Sequence, residues 1–99
     1  MRYTVVIAPD PNLPGYYVSC PAMPGALSQG GTREEALLNI AEAMTGWLEV
    51  ARDHGFGALP ETAELVAAEV AFVLEFRAEE GWPLTLETTQ VEIRVAVAA

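Results

Sequence analysis

Residues 18–44 read VSCPAMPGALSQGGTREEALLNIAEAM, and the other predicted elements are arranged around this segment. It combines the end of one strand, a Pro-Gly corner, a short strand and the start of an amphipathic helix. Thr32 is a candidate N-cap and Glu35 follows three residues later, so each side chain can accept a hydrogen bond from a free N–H of the first turn. The preceding Gly30 and Gly31 are expected to give the backbone freedom for the change of direction. A helix is therefore predicted over residues 32–53, with Gly55 as its stop.

An apolar stripe runs along this predicted helix at spacings of three and four residues, which indicates a buried face. Its members are Leu37, Ile40, Ala41, Met44, Leu48 and Ala51. Acidic side chains follow the outer half of the same helix, at Glu34, Glu35, Glu42, Glu49 and Asp53. Such a row is ordinarily a solvated face, and the alternative is a docking surface for a basic protein.

Segments of period two predict strands before and after this helix. Residues 3–8 are largely apolar on both faces, which favours a central strand. Proline and glycine at 9–15 force a turn, so residues 16–20 return antiparallel as a hairpin, and residues 26–29 form a brief third strand. From Leu84 and Leu86 to Val97, apolar residues again recur at every second position. They change from even-numbered to odd-numbered positions between Leu86 and Val91, which predicts a bulge near Thr89 and Gln90. The charges on this last strand predict an edge position.

A second helix is predicted over residues 61–80, ended by Gly81 and Pro83. Its apolar side chains cover more than half of the helical circumference; they are Leu65, Val66, Val70, Phe72, Val73, Leu74 and Phe76. Two interpretations remain open at this point. The helix is either sunk in the core of its own chain, or it contacts its own sheet on one side and another subunit on the other. The second interpretation predicts a homo-oligomer with an interface at Val66, Val70, Val73 and Phe76.

These elements predict an α+β fold, a small antiparallel sheet with the order β-β-β-α-(α)-β. Ninety-nine residues suffice for one core, so a single domain is expected over residues 1–99. In it, residues 1–55 form the β-β-β-α core and residues 56–99 add the second helix and the closing strand. The formal net charge is −9. This charge argues against sequence-independent binding to nucleic acids and favours a basic partner.

Cysteine use and hydropathy indicate a cytoplasmic protein. Cys20 is the only cysteine, which rules out an intrachain disulfide and favours a reducing compartment. The apolar run at residues 3–8 is too short for a signal peptide and breaks at Pro9. The longest apolar run, residues 65–76, is interrupted by Glu69 and Glu75 and is too short for a membrane span.

The residues give little support to cofactor binding. Gly25, Gly30 and Thr32 have the spacing of a phosphate-binding loop, but Gly31 stands where the lysine of such a loop belongs. The glycines are therefore assigned to turns, and no cofactor is expected.

Catalytic and metal-binding patterns are equally sparse. His54 and Cys20 are too few for a metal site within one chain, and neither Ser19 nor Ser28 lies in a nucleophile elbow. One enzymatic alternative stays open, a hydrolase in which Glu92, Asp10 and Glu35 surround a metal ion.

Three segments resemble the HicB-like antitoxin family. They are MRYTVVIAPD at 1–10, GYYVSCPAMPGALSQGGT at 15–32 and REEALLNIAEAMTGWLEVARDHG at 33–55, and residues 90–97 resemble the family's closing strand. The combination of Y-V-S-x-P-x-x-P-G with S-Q-G-x-T-x-E-E-A-L-x-N-I-x-E-A is specific. The resemblance implies a partial ribonuclease-H-like fold and a role in binding and silencing the small basic HicA toxin, an mRNA endonuclease.

Two features of the chain bear on that implied role. Residues 2–8 contain no acidic side chain, whereas a metal-dependent ribonuclease of this fold would place a carboxylate on the first strand, so no enzymatic activity is expected. Many family members append a DNA-binding segment, but the residues after Gly55 predict only one acidic helix and a strand. Direct DNA binding is therefore not expected.

The leading hypothesis is an antitoxin-like protein that neutralises a small basic RNA-cleaving toxin of the HicA type. The alternative is an orphan homo-oligomeric regulatory or ligand-binding domain. Partner contact is placed on features expected to be exposed at the hairpin ends, and its residues are Asp10, Asn12, Tyr17, Met23, Pro24 and Gly25.

Overall fold

The computed structural model of the protein describes residues 1–94. Its elements, in chain order, are β1 (Arg2–Pro9), β2 (Tyr16–Ser19), β3 (Leu27–Gly30), α1 (Arg33–Asp53), α2 (Ala63–Glu79) and β4 (Glu87–Glu92). The predicted α+β class and the predicted order of strands and helices are therefore confirmed.

The four strands form one antiparallel sheet in the order β3-β2-β1-β4. β1 is central and β4 lies at an edge, as the residue patterns predicted. The register between β1 and β4 runs without a break from Arg2 opposite Glu92 to Ile7 opposite Glu87, so the predicted bulge is wrong. The change of parity has another cause: Leu84 and Leu86 precede the strand and do not belong to it. The predicted continuation through residues 95–97 lies outside the described residues.

The core lies between α1 and one face of the sheet. Val5 and Ile7 of β1 and Val18 of β2 point to this face and pack with Ile40 and Met44 of α1. The predicted stripe of α1 is confirmed, since its members are buried or half-buried. The capping prediction is also confirmed for Thr32, whose hydroxyl accepts a hydrogen bond from the Glu35 N–H at 3.1 Å. The Glu35 carboxylate accepts from Gly31 N at 3.2 Å, one residue earlier than a standard capping box requires.

Gly30 is required by packing between β3 and α1. A Cβ atom at this position would overlap the backbone nitrogen of Ala36 and lie 2.8 Å from its Cα. Neither Gly30 nor Gly31 has a positive φ. The expectation that both supply backbone freedom is thus wrong, because close approach of strand and helix is the constraint at Gly30.

α2 lies on the opposite face of the sheet and contacts β1. The Thr62 hydroxyl caps its first turn by accepting a hydrogen bond from Leu65 N at 3.1 Å. Phe72 is 65% exposed and Phe76 is 45% exposed. The interpretation of α2 as a helix sunk in its own core is therefore wrong. No helix within residues 1–94 is both long enough and apolar enough to cross a membrane.

Candidate partner-binding surface

The loop between β1 and β2, residues 10–15, is organised by the Asp10 carboxylate. Its Oδ1 accepts hydrogen bonds from the backbone N–H of Asn12 at 2.8 Å and of Leu13 at 2.9 Å. Its Oδ2 accepts from the Tyr17 hydroxyl at 2.8 Å. The Asn12 amide first, then the Leu13 amide and the Tyr17 hydroxyl, stabilise the ionised form and hold the pKa of Asp10 below its ordinary value. The same contact with Asp10 raises the pKa of Tyr17. Asp10 is thus occupied in shaping the loop.

The tip of this loop is presented to solvent. Asn12, Leu13 and Pro14 are exposed, and the Asp10 N–H donates to Gly15 O at 2.9 Å to close the loop at its base. Gly15 has a φ of 140°, and a Cβ there would lie 2.9 Å from Gly30 O. A glycine at this position therefore allows the loop to approach the end of β3.

The corner between β2 and β3 exposes Pro24 and Gly25 but not Met23. Two hydrogen bonds form the turn, from Met23 N to Cys20 O at 3.1 Å and from Ala26 N to Met23 O at 2.9 Å. This turn directs the Met23 side chain into the α1 core, where none of its surface is exposed. The prediction of Met23 as a partner contact is therefore wrong. Pro24 is fixed by its carbonyl, which accepts from Trp47 Nε1 at 2.9 Å.

An apolar groove of about 690 Å³ lies between α2 and the sheet face opposite α1. Val6 and Ala8 of β1 lie along it, and its other lining comes from β2, β3, the corner between these two strands, α2, and the segments that flank α2. The large apolar side chains that line it and remain exposed are Tyr17, Leu27, Leu59, Phe72 and Phe76. Pro24 and Gly25 also line the groove, so it adjoins the surface predicted for a partner.

The residues predicted for an oligomer interface lie on different flanks of α2. Val73 and Phe76 line the groove. Val66 instead lines a smaller depression beside Thr4 and Thr88. Val66, Val70 and Val73 are only half-buried. Phe72 is more exposed than Phe76 but is not among the predicted interface residues, because the wide apolar arc of α2 does not by itself show which side faces the sheet.

Arg77, near the end of α2, lines the groove and is the functional candidate that the sequence analysis missed. Its side chain is buried, with Nε donating to Pro83 O at 2.6 Å and Nη1 donating to Pro9 O at 3.0 Å. Its guanidinium carbon lies 5.8 Å from the ring centroid of Trp82. Nη2 has no hydrogen-bond partner within residues 1–94. The feature of the sequence that could have indicated Arg77 is the position of a cation between the apolar end of α2 and the segment Gly81-Trp82-Pro83.

The structure places the reactive side chains apart. Burial raises the pKa of the Cys20 thiol, which favours an inert, protonated side chain. His54 ends α1, with ring Nδ1 2.9 Å from Val50 O. Within residues 1–94, no three His, Cys, Asp or Glu side chains converge as metal ligands do. Glu92 pairs with the start of β1 and Asp10 follows its end, about 25 Å away along the strand. The hydrolase alternative built on Asp10, Glu35 and Glu92 is therefore wrong.

Most of the chain matches the sequence profile of a known family. The profile of the family described as HicB-like antitoxin of bacterial toxin–antitoxin system matches residues 3–90. The chain belongs to the HicB-like antitoxin family. This confirms the resemblance noted in the sequence.

Two proteins are similar to this chain over about half of its length. This HicB-like chain is 47% identical over 55 residues to UPF0150 protein Ta0767 of Thermoplasma acidophilum, covering 54% of the chain and 77% of that protein. It is 43% identical over 48 residues to UPF0150 protein ssr1765 of Synechocystis, covering 48% of the chain and 60% of that protein.

Solved structures of HicB antitoxins share the fold. The N-terminal domain of Burkholderia pseudomallei HicB superposes with a TM-score of 0.64 at 23% identity, over 96% of this chain and all of that domain. A chain of a HicA3–HicB3 toxin–antitoxin complex gives a TM-score of 0.62 at 22% identity, over 95% of this chain and 99% of that one. The B. pseudomallei antitoxin HicB also gives 0.62, over all of this chain and 75% of that one.

Proposed function

We propose that this HicB-like chain is an antitoxin that binds and neutralises a small basic RNA-cleaving toxin of the HicA type, without catalysis of its own. The observation that carries the proposal is the family match over residues 3–90. The fold shared with the antitoxin of a HicA3–HicB3 complex supports the same class of partner.

The charge of the chain supports a basic partner. The formal net charge is −9, and the acidic row on α1 is exposed along its whole length. A toxin that holds RNA must carry positive charge, because phosphate contacts dominate affinity for nucleic acids. An acidic antitoxin then attracts such a toxin over long range and competes with its RNA substrate.

The proposed contact surface joins the loop tip to the exposed corner. Asn12, Tyr17, Pro24 and Gly25 are exposed and supply direct contacts. Asp10 contributes by holding the loop, because its carboxylate already accepts three hydrogen bonds. Met23 has no part in this surface.

Two further statements belong to the same proposal. The chain acts in the cytoplasm, which suits its single, buried, unpaired Cys20. It also self-associates through α2, with Val73 and Phe76 on the groove side. Direct DNA binding is not part of the proposal.

The test measures binding to the HicA-type toxin encoded beside the gene for this chain. Isothermal titration at 50 and 300 mM NaCl should give a complex whose dissociation constant rises at least about tenfold with salt, because screening weakens attraction between opposite charges. Absence of binding at 50 mM NaCl would refute the proposal. A genome without a small basic neighbour would favour the orphan regulatory or ligand-binding domain.

A matched pair of variants tests the contact surface separately. Asn12→Arg adds a positive charge at the exposed loop tip, and Gln90→Arg adds the same charge on exposed β4 at the far edge of the sheet. Asn12→Arg should weaken toxin binding at least about tenfold, whereas Gln90→Arg should change it by less than about threefold. Equal effects would move the contact surface elsewhere and leave the antitoxin function standing.

A further inference from the structure

An aromatic pair lies where the C-terminal end of α1 meets the corner between β2 and β3. The ring centroids of Trp47 and Phe56 are 5.9 Å apart, and the rings meet edge to face. Trp47 is half-buried, whereas Phe56 is 57% exposed. Val50, one turn after Trp47 on the same side of α1, is 58% exposed. Three apolar side chains thus keep part of their surface uncovered at one end of this helix.

The chain fixes both rings before any partner binds. Trp47 Nε1 donates to Pro24 O at 2.9 Å, which ties the indole to the corner. The Phe56 N–H donates to Ala51 O at 2.9 Å, the longer bond of a Schellman motif at the end of α1. Gly55 supplies the positive φ that this motif requires, 81°. Because the pair is already held in place, it loses little conformational freedom on binding, which favours it as an anchor.

Covering the end of α1 accounts for only part of the Phe56 surface. In a Schellman motif, the residue after the glycine ordinarily packs on the last turn of its helix. Phe56 contacts Trp47 in this way and lies 6.4 Å from the His54 ring, yet more than half of its surface stays exposed. Aromatic side chains at the centre of a polar rim are typical anchors of protein interfaces. The uncovered ring surface is therefore open to a partner.

Carboxylates beside the aromatic pair favour a cation as its contact. Asp53 lies one turn after Val50 on α1, and Glu49 lies one turn before Asp53. Both side chains are exposed. Arg52 is two residues from Val50 and so lies on a different side of the helix. A basic side chain placed on the pair is attracted by the aromatic rings and by both carboxylates.

We propose that the toxin places an arginine or lysine side chain on the Trp47–Phe56 pair. The surface that the toxin covers then extends from the exposed corner onto the C-terminal end of α1. Pro24 joins the two parts, because it is exposed and its carbonyl binds Trp47. The proposal rests on the antitoxin function proposed above, since a basic toxin supplies the cation.

Isothermal titration of the full chain with the HicA-type toxin at 50 mM NaCl measures the contribution of the pair. Phe56→Ala should raise the toxin dissociation constant about tenfold or more, as expected for an interface anchor. Phe56→Leu keeps an apolar side chain without an aromatic face, and it should raise that constant about threefold or more, because the attraction between ring and cation is lost.

The matched control is Phe72→Ala. Phe72 is an aromatic residue of similar exposure, 65%, on α2 at the other face of the sheet. Its replacement should change the toxin dissociation constant by less than about twofold. Circular dichroism and thermal unfolding should show that all three variants are folded.

A second measurement reports on the two tryptophans directly. Incorporation of 5-fluorotryptophan into this chain alone gives one fluorine NMR signal for Trp47 and one for Trp82, which Trp82→Phe assigns. Trp82 lines the groove on the other face of the sheet. Toxin binding should therefore shift the Trp47 signal more than the Trp82 signal.

Four outcomes would overturn this inference and leave the antitoxin function standing. They are unchanged toxin binding in Phe56→Ala, equal losses in Phe56→Ala and Phe72→Ala, wild-type affinity in Phe56→Leu, and a Trp47 signal that the toxin does not shift. Wild-type affinity in Phe56→Leu would show an apolar contact without a cation. Absence of binding by the wild-type chain would instead refute the proposed function, and this inference with it.

Discussion

Arg77 should anchor α2 to the sheet, and replacing it should loosen that helix selectively. The side chain is 2% exposed and donates from Nε to Pro83 O and from Nη1 to Pro9 O. These bonds tie the end of α2 to the end of β1 and to the segment that leads to β4. Arg77→Met keeps an apolar stem of similar length and removes the donors.

The expected loss follows from opposing terms. Two charge-assisted hydrogen bonds contribute about 1.5–3 kcal/mol each. Removing a buried guanidinium recovers part of that loss, about 1–3 kcal/mol, because Nη2 has no partner within the described chain. The net expectation is a free energy of unfolding that is about 2–3 kcal/mol lower. For a domain of this size, such a loss lowers Tm by about 10–20 °C.

Urea unfolding measures the total loss, and amide hydrogen exchange locates it. In Arg77→Met the amides of α2 should exchange faster, while those of α1 change little. The free energy of unfolding of Arg77→Lys should lie between those of Arg77→Met and the wild type, since lysine keeps the charge but lacks the planar pair of donors. Arg94→Met, a change at an exposed arginine, should stay within about 0.5 kcal/mol of wild type. Equal stability of Arg77→Met and Arg94→Met would refute the role given to Arg77.

Other predictions concern the loop, the strand-to-helix contact and the open side of β1. The pKa of Asp10 is lowered in the folded state, so its carboxylate stabilises the fold above about pH 4 and loses that effect as pH falls through the lowered pKa. Asp10→Asn should therefore have a lower free energy of unfolding in urea at pH 7. The decrease of that free energy toward acid pH should also be smaller in this variant than in the wild type. Gly30→Ala should lower the free energy of unfolding by about 1–3 kcal/mol, because its Cβ would overlap α1, whereas Gly31→Ala, with room for a Cβ, should be near neutral in the same assay. Glu61 accepts hydrogen bonds from Thr4 N at 2.6 Å and Thr4 Oγ1 at 3.0 Å. Glu61→Ala should lower the free energy of unfolding by about 1 kcal/mol and speed hydrogen exchange of the Thr4 amide. An unchanged exchange rate would contradict this prediction.

Local signals predicted α1 and the first hairpin well. The N-cap at Thr32, the apolar stripe and the stop at Gly55 are each encoded within a few residues, and Gly55 indeed has a φ of 81°. The central position of β1 was also predictable, because a strand that is apolar on both faces must be covered on both.

Two of the wrong predictions concern the Met23 side chain and the start of the last strand. Met23 precedes Pro24 in an apparent surface corner, yet the direction of its side chain depends on hydrogen bonds across the whole turn. The parity change after Leu86 suggested a bulge, but period alone does not show where an irregular segment ends and a strand begins. In both cases the local pattern fitted more than one structure.

The groove and its surroundings required knowledge of which sheet face α2 covers. A helix whose apolar side chains cover more than half of its circumference does not show which side faces the sheet, so Phe72 could not be distinguished from its neighbours. The pairing of Arg77 with Pro9 spans 68 residues, and that of Glu61 with Thr4 spans 57. Such contacts are set by tertiary structure and leave no periodic trace in the sequence.

Titration of this chain into an RNA-cleavage assay of the HicA-type toxin encoded beside it tests the antitoxin role. At 50 mM NaCl, cleavage should fall in proportion to added chain and stop near one chain per toxin, and the chain alone should leave the RNA intact. Undiminished cleavage at a tenfold molar excess, with both proteins folded, would contradict the role.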